Sequence, residues 1–420
     1  MTLSSAVDQD RRRVSPDLRH SAAARKTFPQ DAVTKDSVVV FPIPSRPEEL
    51  IMSYRITGVS VLALALAASV ALAADSPAGL GEVGKPDLKS AGPLAFGPKG
   101  VLFVGDPQGA AVFAIGVGQA PSAPIGGEFK LEGVDAKVAA LLGTGASDIL
   151  INDVAVEPGT KIAYLSVSRG RGPDAQPAIV RVDGKGNVTA LPLDKVPYSK
   201  VAISNAPESR EPQAGKKGGN PRLESITDLA FVDGRLFIAG LSNEEFASAL
   251  RSLEFPFKGK DTSTSVEIYH GAHGAFETRS PVRTFVPFNV GGEPQLLAAY
   301  TCTPLVRFPV SELKAGSKLR GTTVAELGNR NRPLDMIAYE KDGKQFLLLA
   351  NSARGVMKIS TDTLEKQEGI TERVSGTAGV GYETMKELEG VEQLDKVGEG
   401  HAILLVRAGD KASLETIALP

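Results

Sequence analysis

A short apolar segment that opens on aspartate and closes on glycine recurs along this chain, and no other feature restricts its fold as strongly. "INDVAVEPG" carries Asp153 and ends at Gly159, "ITDLAFVDG" carries Asp228 and ends at Gly234, and "LDMIAYEKDG" carries Asp335 and ends at Gly343. The Asp-to-Gly spacing is the same in the first two copies and two residues longer in the third. Each copy is followed by a second apolar run, a variable loop and a run with more polar alternation. Short apolar runs bounded by Gly, Asp and Pro predict β-strands joined by tight turns. A strand–turn–strand unit returning every roughly 45 to 80 residues predicts a ring of like sheets, each burying its faces against its neighbours.

Six units are legible, starting near Pro93, Leu150, Ile226, Pro287, Leu334 and Val391. The expected fold is therefore all-β, a six-bladed β-propeller, or a seven-bladed one if residues 118–148 hide further strands. The innermost strands pack between two neighbouring blades, which accounts for their nearly continuous apolar runs. The last unit lacks an evident fourth strand, and residues 81–90 are expected to supply it and close the ring, since closure removes free sheet edges. One short helical insertion is expected at 243–254. There Ser242 and Glu245 form a capping-box pair, and Phe246, Leu250 and Leu253 share a helical face. A second short helix is plausible at 134–143. Residues 209–225, with Lys216 and Lys217, are expected to form a flexible loop.

The N-terminal region is of a different kind. From Met52 the chain reads "MSYRITGVSVLALALAASVALAADS", with a positive Arg55, an apolar stretch from Val59 to Val70, and Ala71-Leu72-Ala73 as a cleavage site. This is the pattern of a secretory signal peptide cut after Ala73, and it is shorter than the roughly 20 residues of a bilayer span. Signal peptides begin at the N-terminus, so translation is expected to start at Met52, with 1–51 a non-native or disordered extension. The organisation that follows is 1–51, then 52–73 as signal peptide, then 74–420 as the propeller. The mature protein is expected to be periplasmic or secreted, with no membrane span. A formal net charge of −2 gives no reason to expect nucleic acid as a partner. One cysteine excludes an internal disulfide. "NVT" at 187–189 is a glycosylation sequon in a eukaryote only.

Candidate functional residues follow from the ring geometry. Asp153, Asp228 and Asp335 start innermost strands, so they are expected to form a partial ring at one mouth of the central channel. Pro93 and Gln393 take the matching places in the first and last units. Loops bearing Arg169, Arg171, Cys302, Asn351 and Arg354 belong to the same rim. The ligand-binding set is therefore Asp153, Asp228, Asp335, Asn351, Arg354 and Cys302. The aspartates have three readings. They can accept bonds from backbone N–H groups of a neighbouring blade, hold a hard cation such as Ca²⁺ through oxygen ligands, or bind substrate directly. His270 and His273, in "YHGAHG", have a spacing that metals use when a turn brings the two rings together. A lone Cys302 is usually a small core residue.

The strand–turn–strand units resemble those of the NHL and gluconolactonase/paraoxonase/strictosidine-synthase-like propellers. "LINDVAVEPG" in particular resembles the Asn-Asp strand start that supplies Ca²⁺ ligands in the paraoxonase-like lactonases. That resemblance implies metal ligation by Asn152 and Asp153, with Asp228 and Asp335 beside them, and a Ca²⁺-dependent lactonase or esterase-like hydrolase. Thr227 and Leu334, not Asn, precede the other two aspartates. WD-repeat and quinoprotein docking signatures use Trp, which the chain lacks. The leading expectation is an exported propeller binding an unknown small molecule or an extracytoplasmic protein at its Asp-bearing face, without chemistry of its own. The hydrolase is the alternative.

Overall fold

The computed structural model describes residues 79–118, 122–210 and 219–420. The signal segment, the 1–51 extension, and Lys216 and Lys217 lie outside the described residues. Six sheets, antiparallel but for the parallel pairing of Lys318–Arg320 with Thr262–His270, form a six-bladed propeller. Numbered by the chain order of their innermost strands, the blades begin at Leu94–Phe96, Ile149–Val156, Asp228–Val232, Thr284–Val290, Pro333–Lys341 and Val391–Val397. All six expected units are present.

The turns follow from the residues that close each repeat. In blade 3, Asp233 and Gly234 connect the first two strands with φ of 50° and 77°; in blade 5, Asp342 and Gly343 do so at 53° and 72°. Two residues at positive φ make the hairpin turn whose twist matches its strands, and Asp-Gly is the pair that adopts it at least cost. The longer Asp-to-Gly spacing of the third repeat has a plain cause. Its strand runs to Lys341, so its turn comes later.

The spatial order of the blades is not their chain order. Each of six apolar clusters fills one boundary between blades. Blade 2 packs against blade 1 through Leu102, Phe113 and Tyr164, and against blade 6 through Val154, Leu165 and Leu405. Blade 1 packs against blade 3 through Phe103, Val112 and Ile238. The remaining clusters join 3 to 4, 4 to 5 and 5 to 6. The ring therefore runs 2–1–3–4–5–6 and back to 2. Strands buried on both faces carry side chains of both faces in the core, hence runs such as Val101–Asp106, buried throughout.

Two segments make this order possible. After three strands of blade 1, ending at Ala111–Gly116, the chain crosses to the outer edge of blade 6. There Lys130–Glu132 pairs with Lys411–Ala418. It then forms the helix Val134–Leu142 and blade 2. Val196–Ala202 returns to blade 1 and pairs with Ala111–Gly116 as its fourth strand. The expectation that 81–90 completes the last blade is thus corrected. Glu82–Gly84 pairs with Val196–Ala202 at the outside of blade 1, and closure of blade 6 falls to Lys130–Glu132. Among the described residues, 118–148 hold that one strand, the helix and a 3-10 turn at Ala146–Asp148, not a seventh blade.

The helix expected at 243–254 is also corrected. Ser248–Glu254 is the third strand of blade 3, paired on both sides. Ser242 Oγ accepts from the Glu244 N–H within a turn, not a helix cap. Arg251 is fully buried there, 3.5 Å from Asp261, and donates to the Leu241 carbonyl. Among the described residues the one α-helix is the segment Val134–Leu142.

Candidate functional site

Bulges set the start of the innermost strands. In blades 2, 5 and 6 the pairing slips by one residue just before Asp153, Asp335 and Gln393. A bulge re-aims the residue beside it, and here it turns these side chains to the channel. The innermost strand of every blade is a sheet edge, with N–H groups unpaired by its own sheet.

The aspartates answer that edge. Asp153 Oδ1 accepts from the Val154 N–H at 2.7 Å, and Oδ2 from Leu94 of blade 1 at 2.6 Å. Asp228 accepts from Leu229 and from Phe285 of blade 4, both at 2.7 Å. Asp335 accepts from Met336 at 2.7 Å and from Leu394 of blade 6 at 2.8 Å. In ring order the three sit on alternate blades, 2, 3 and 5, each reaching the blade beside it. Three carboxylates thus take up one mouth-level edge N–H from all six blades. Pro93, Thr284 and Gln393 hold the corresponding places on the neighbouring blades, whose Leu94, Phe285 and Leu394 N–H groups donate across the boundary. Asp395, one layer deeper, repeats the device between Lys396 and Val156 of blade 2, both at 2.7 Å. Of the three readings of these residues, the backbone-acceptor geometry is the one on display.

The cluster is electrostatically costly. Burial pushes the Asp228 carboxyl up to about 7 and the Asp395 carboxyl up to about 6. Burial also raises Asp153 and Asp335 well above the usual carboxylate range. Asp228 repels Asp153 in addition, and Asp153 and Asp228 both repel Asp335. Accepted N–H bonds oppose the rise at each site.

Below the aspartates the channel forms a cavity of about 490 Å³, lined mainly by apolar inner-strand residues such as Ala95, Ala230 and Ile337. Above them a wider mouth of about 760 Å³ is walled by all six blades. Asn152, Arg171, Glu224, Arg283, Arg332 and Gln393 supply its polar surface. Arg283 pairs with Glu224 at 2.8 Å. Arg332 has no ion pair among the described residues, and its pKa is lowered by partial burial and by the neighbouring charge of Arg283. Arg171 donates to the Ser147 and Ile149 carbonyls.

The other expected residues are placed as follows. Asn152 Nδ2 donates to the Ala91 carbonyl and to Ser168 Oγ. Asn351 is buried and accepts from Asn331 Nδ2. Arg354 donates to the Asn329 carbonyl, and Arg169 to that of Gly143. Asn351, Arg354, Arg169 and Cys302 lie on the same rim but line neither cavity. Cys302 sits instead beside His270 and His273. Asp395, Glu224, Arg283 and Arg332 escaped sequence reasoning. Asp395 follows the expected Gln393 by two residues in a repeat that otherwise matches. The arginines sit in irregular loops that carry no period.

No protein-family model and no curated protein matches the chain. Solved structures similar to it include a chain of the mitotic checkpoint complex, at 10% identity and a TM-score of 0.34, covering 91% of this chain and 99% of that one. The hydrazine synthase of Kuenenia stuttgartiensis is similar at 12% identity and a TM-score of 0.32, covering 80% and 97%. The extracellular region of plexin A4 is similar at 7% identity and a TM-score of 0.37, covering 80% of this chain and 40% of that one. Among the described residues no helix is long and apolar enough to cross a membrane.

Proposed function

We infer that this chain is an exported β-propeller that binds a small anionic ligand at its Asp-bearing mouth, with no chemistry of its own. The observation that carries the reading is the mouth cavity of about 760 Å³, where Arg332 stands without an ion pair beside Arg283. Ligand sites are commonly concave, of this size, and furnished with a few convergent polar groups. A guanidinium is a planar fork that matches a carboxylate or phosphate. Two such groups close together favour an anion between them, because each otherwise raises the cost of the other's charge. The aspartates below are engaged with backbone N–H groups, so in this reading they form the floor and not the grip. A rigid ring carrying variable loops is a common base for such a site. Export rests on the segment from Met52 to Ala73, and N-terminal sequencing of protein from its host should find Ala74 first.

Binding is tested by calorimetry with citrate and with glucose 6-phosphate, on the wild type and on Arg332→Ala and Arg283→Ala. At least one anion should bind the wild type, and each substitution should weaken it tenfold or more. Equal binding of neutral glucose, or no effect of either substitution, would remove the anion reading. Turnover of an added lactone would refute the absence of chemistry.

A further inference from the structure

His270, His273 and Cys302 come together although thirty residues of sequence separate the pair from the cysteine. His270 ends the fourth strand of blade 3, Thr262–His270. A turn then carries His273, whose N–H donates to the His270 carbonyl. That turn is what an H-x-x-H pair needs to bring both rings to one side. The rings lie with centroids 3.9 Å apart. Cys302 comes from blade 4, in the turn after Glu293–Ala299. One donor atom from each of the three residues lies within 4.8 Å of the other two.

Two observations point to a ligand there. His270 is only 2% exposed, yet its Nε2 has no hydrogen-bond partner among the described residues. Its Nδ1 lies 3.0 Å from Glu277 Oε1 without hydrogen-bond geometry. Buried polar atoms are nearly always satisfied, so an imidazole left this way needs a partner. Beside it, buried Glu326 accepts the Gly271 N–H through Oε1, while its Oε2 has no partner. Cys302 itself is held at φ 65°, a backbone conformation that glycine adopts more readily. Its N–H donates to the Asn331 carbonyl, which fixes the turn.

We propose that His270, His273 and Cys302 form a binding site for a divalent transition-metal ion of the zinc class, with the Glu277 carboxylate, bonded to His273 Nδ1, orienting the imidazoles. Two imidazoles and a thiolate are donors that zinc takes in tetrahedral sites, a water completing the fourth place, whereas calcium takes oxygen alone. The ion would satisfy the orphaned His270 ring and tie the outer strand of blade 3 to the rim of blade 4. It lies on the mouth face but outside the mouth cavity, so it does not depend on the proposed anion site.

The test uses purified, untagged protein and Zn²⁺ alone. One equivalent of zinc should remain after desalting, measured by elemental analysis. Because Cys302 is the only cysteine, alkylation by iodoacetamide reports on it directly, and bound zinc should slow that reaction at least tenfold. Cys302→Ser and His273→Gln should each weaken zinc binding tenfold or more. His273 is exposed, so its replacement leaves the fold intact, and alkylation of the wild type decides the matter if the serine variant does not fold. Unprotected alkylation in saturating zinc would overturn the proposal. So would zinc binding that survives both substitutions but is lost on replacing Asp153, Asp228 and Asp335 together, since that would place the ion in the channel.

Discussion

A carboxylate at the start of a buried strand looks misplaced until its two oxygens are counted against the edge N–H groups around the channel. Each innermost strand exposes one at the mouth, and an unsatisfied buried N–H costs about 1–3 kcal/mol. A carboxyl group accepts at both oxygens, in the neutral form too because the hydroxyl oxygen keeps a lone pair, so three suffice for six blades. Asparagine cannot substitute cleanly. In Asp228→Asn one oxygen becomes an NH₂ that faces a backbone donor, either Leu229 or Phe285. The expected loss is about 1–3 kcal/mol, and it should depend on pH. The folded pKa of Asp228 is raised to about 7, above the ordinary value of about 3.9. The linked stability is therefore fully present below about pH 4 and is lost as pH rises through about 7. The variant lacks that slope. Urea unfolding should show a wide gap between wild type and variant at about pH 5 and a narrower one at about pH 8. A gap that widens with pH would mean that the charged carboxylate is the stabilising form.

Among the elements, the strand Ser248–Glu254 shows how a sequence signal can mislead. Ser242 and Glu245 carry the spacing of a helix cap, and Phe246, Leu250 and Leu253 the spacing of a helical face. A strand buried on both sides has no period of two to set against this. What decides is the sheet. Without Ser248–Glu254, the strands Arg235–Leu241 and Thr262–His270 would each lose a partner. The three-residue strand Lys130–Glu132 errs the other way, too short to be noticed yet closing the ring. Its Leu131 is 7% exposed within the cluster between blades 2 and 6. Leu131→Ala should therefore cost about 2–5 kcal/mol, like other buried leucines. Val83, in an equally short strand at the outside of blade 1, is 71% exposed. Val83→Ala should stay within about 0.5 kcal/mol of wild type. Denaturant midpoints of the two variants compare these directly; similar losses would mean that Lys130–Glu132 does not close the ring.

At the scale of the whole molecule, the order 2–1–3–4–5–6 interlocks distant parts of the chain. The first three strands of blade 1 wedge between blades 2 and 3 and are completed by Val196–Ala202. Cutting the chain between Gly118 and Ser122 should thus leave 79–118 seated, held by the apolar clusters on either side. The cut protein should migrate as one species on a native gel and unfold in one transition. Without 79–118, the rest should aggregate, because two apolar blade faces would be bare. A stable, monomeric 122–420 fragment would contradict the interlock. Sequence alone determined the strand-rich repeat, six legible units, the tight turns that close on glycine and the placing of Asp153, Asp228 and Asp335 at one mouth, while seven blades stayed open until residues 118–148 were seen in the fold. All of these are properties of one repeat read against the next. Only the tertiary structure decided the blade order, the closing strand, the arginines of the mouth, Asp395 as a fourth bridge, and the meeting of Cys302 with His270 and His273. These depend on which distant segments become neighbours. That choice is made by how apolar faces and unpaired edges find partners in space, and local patterns carry no record of it.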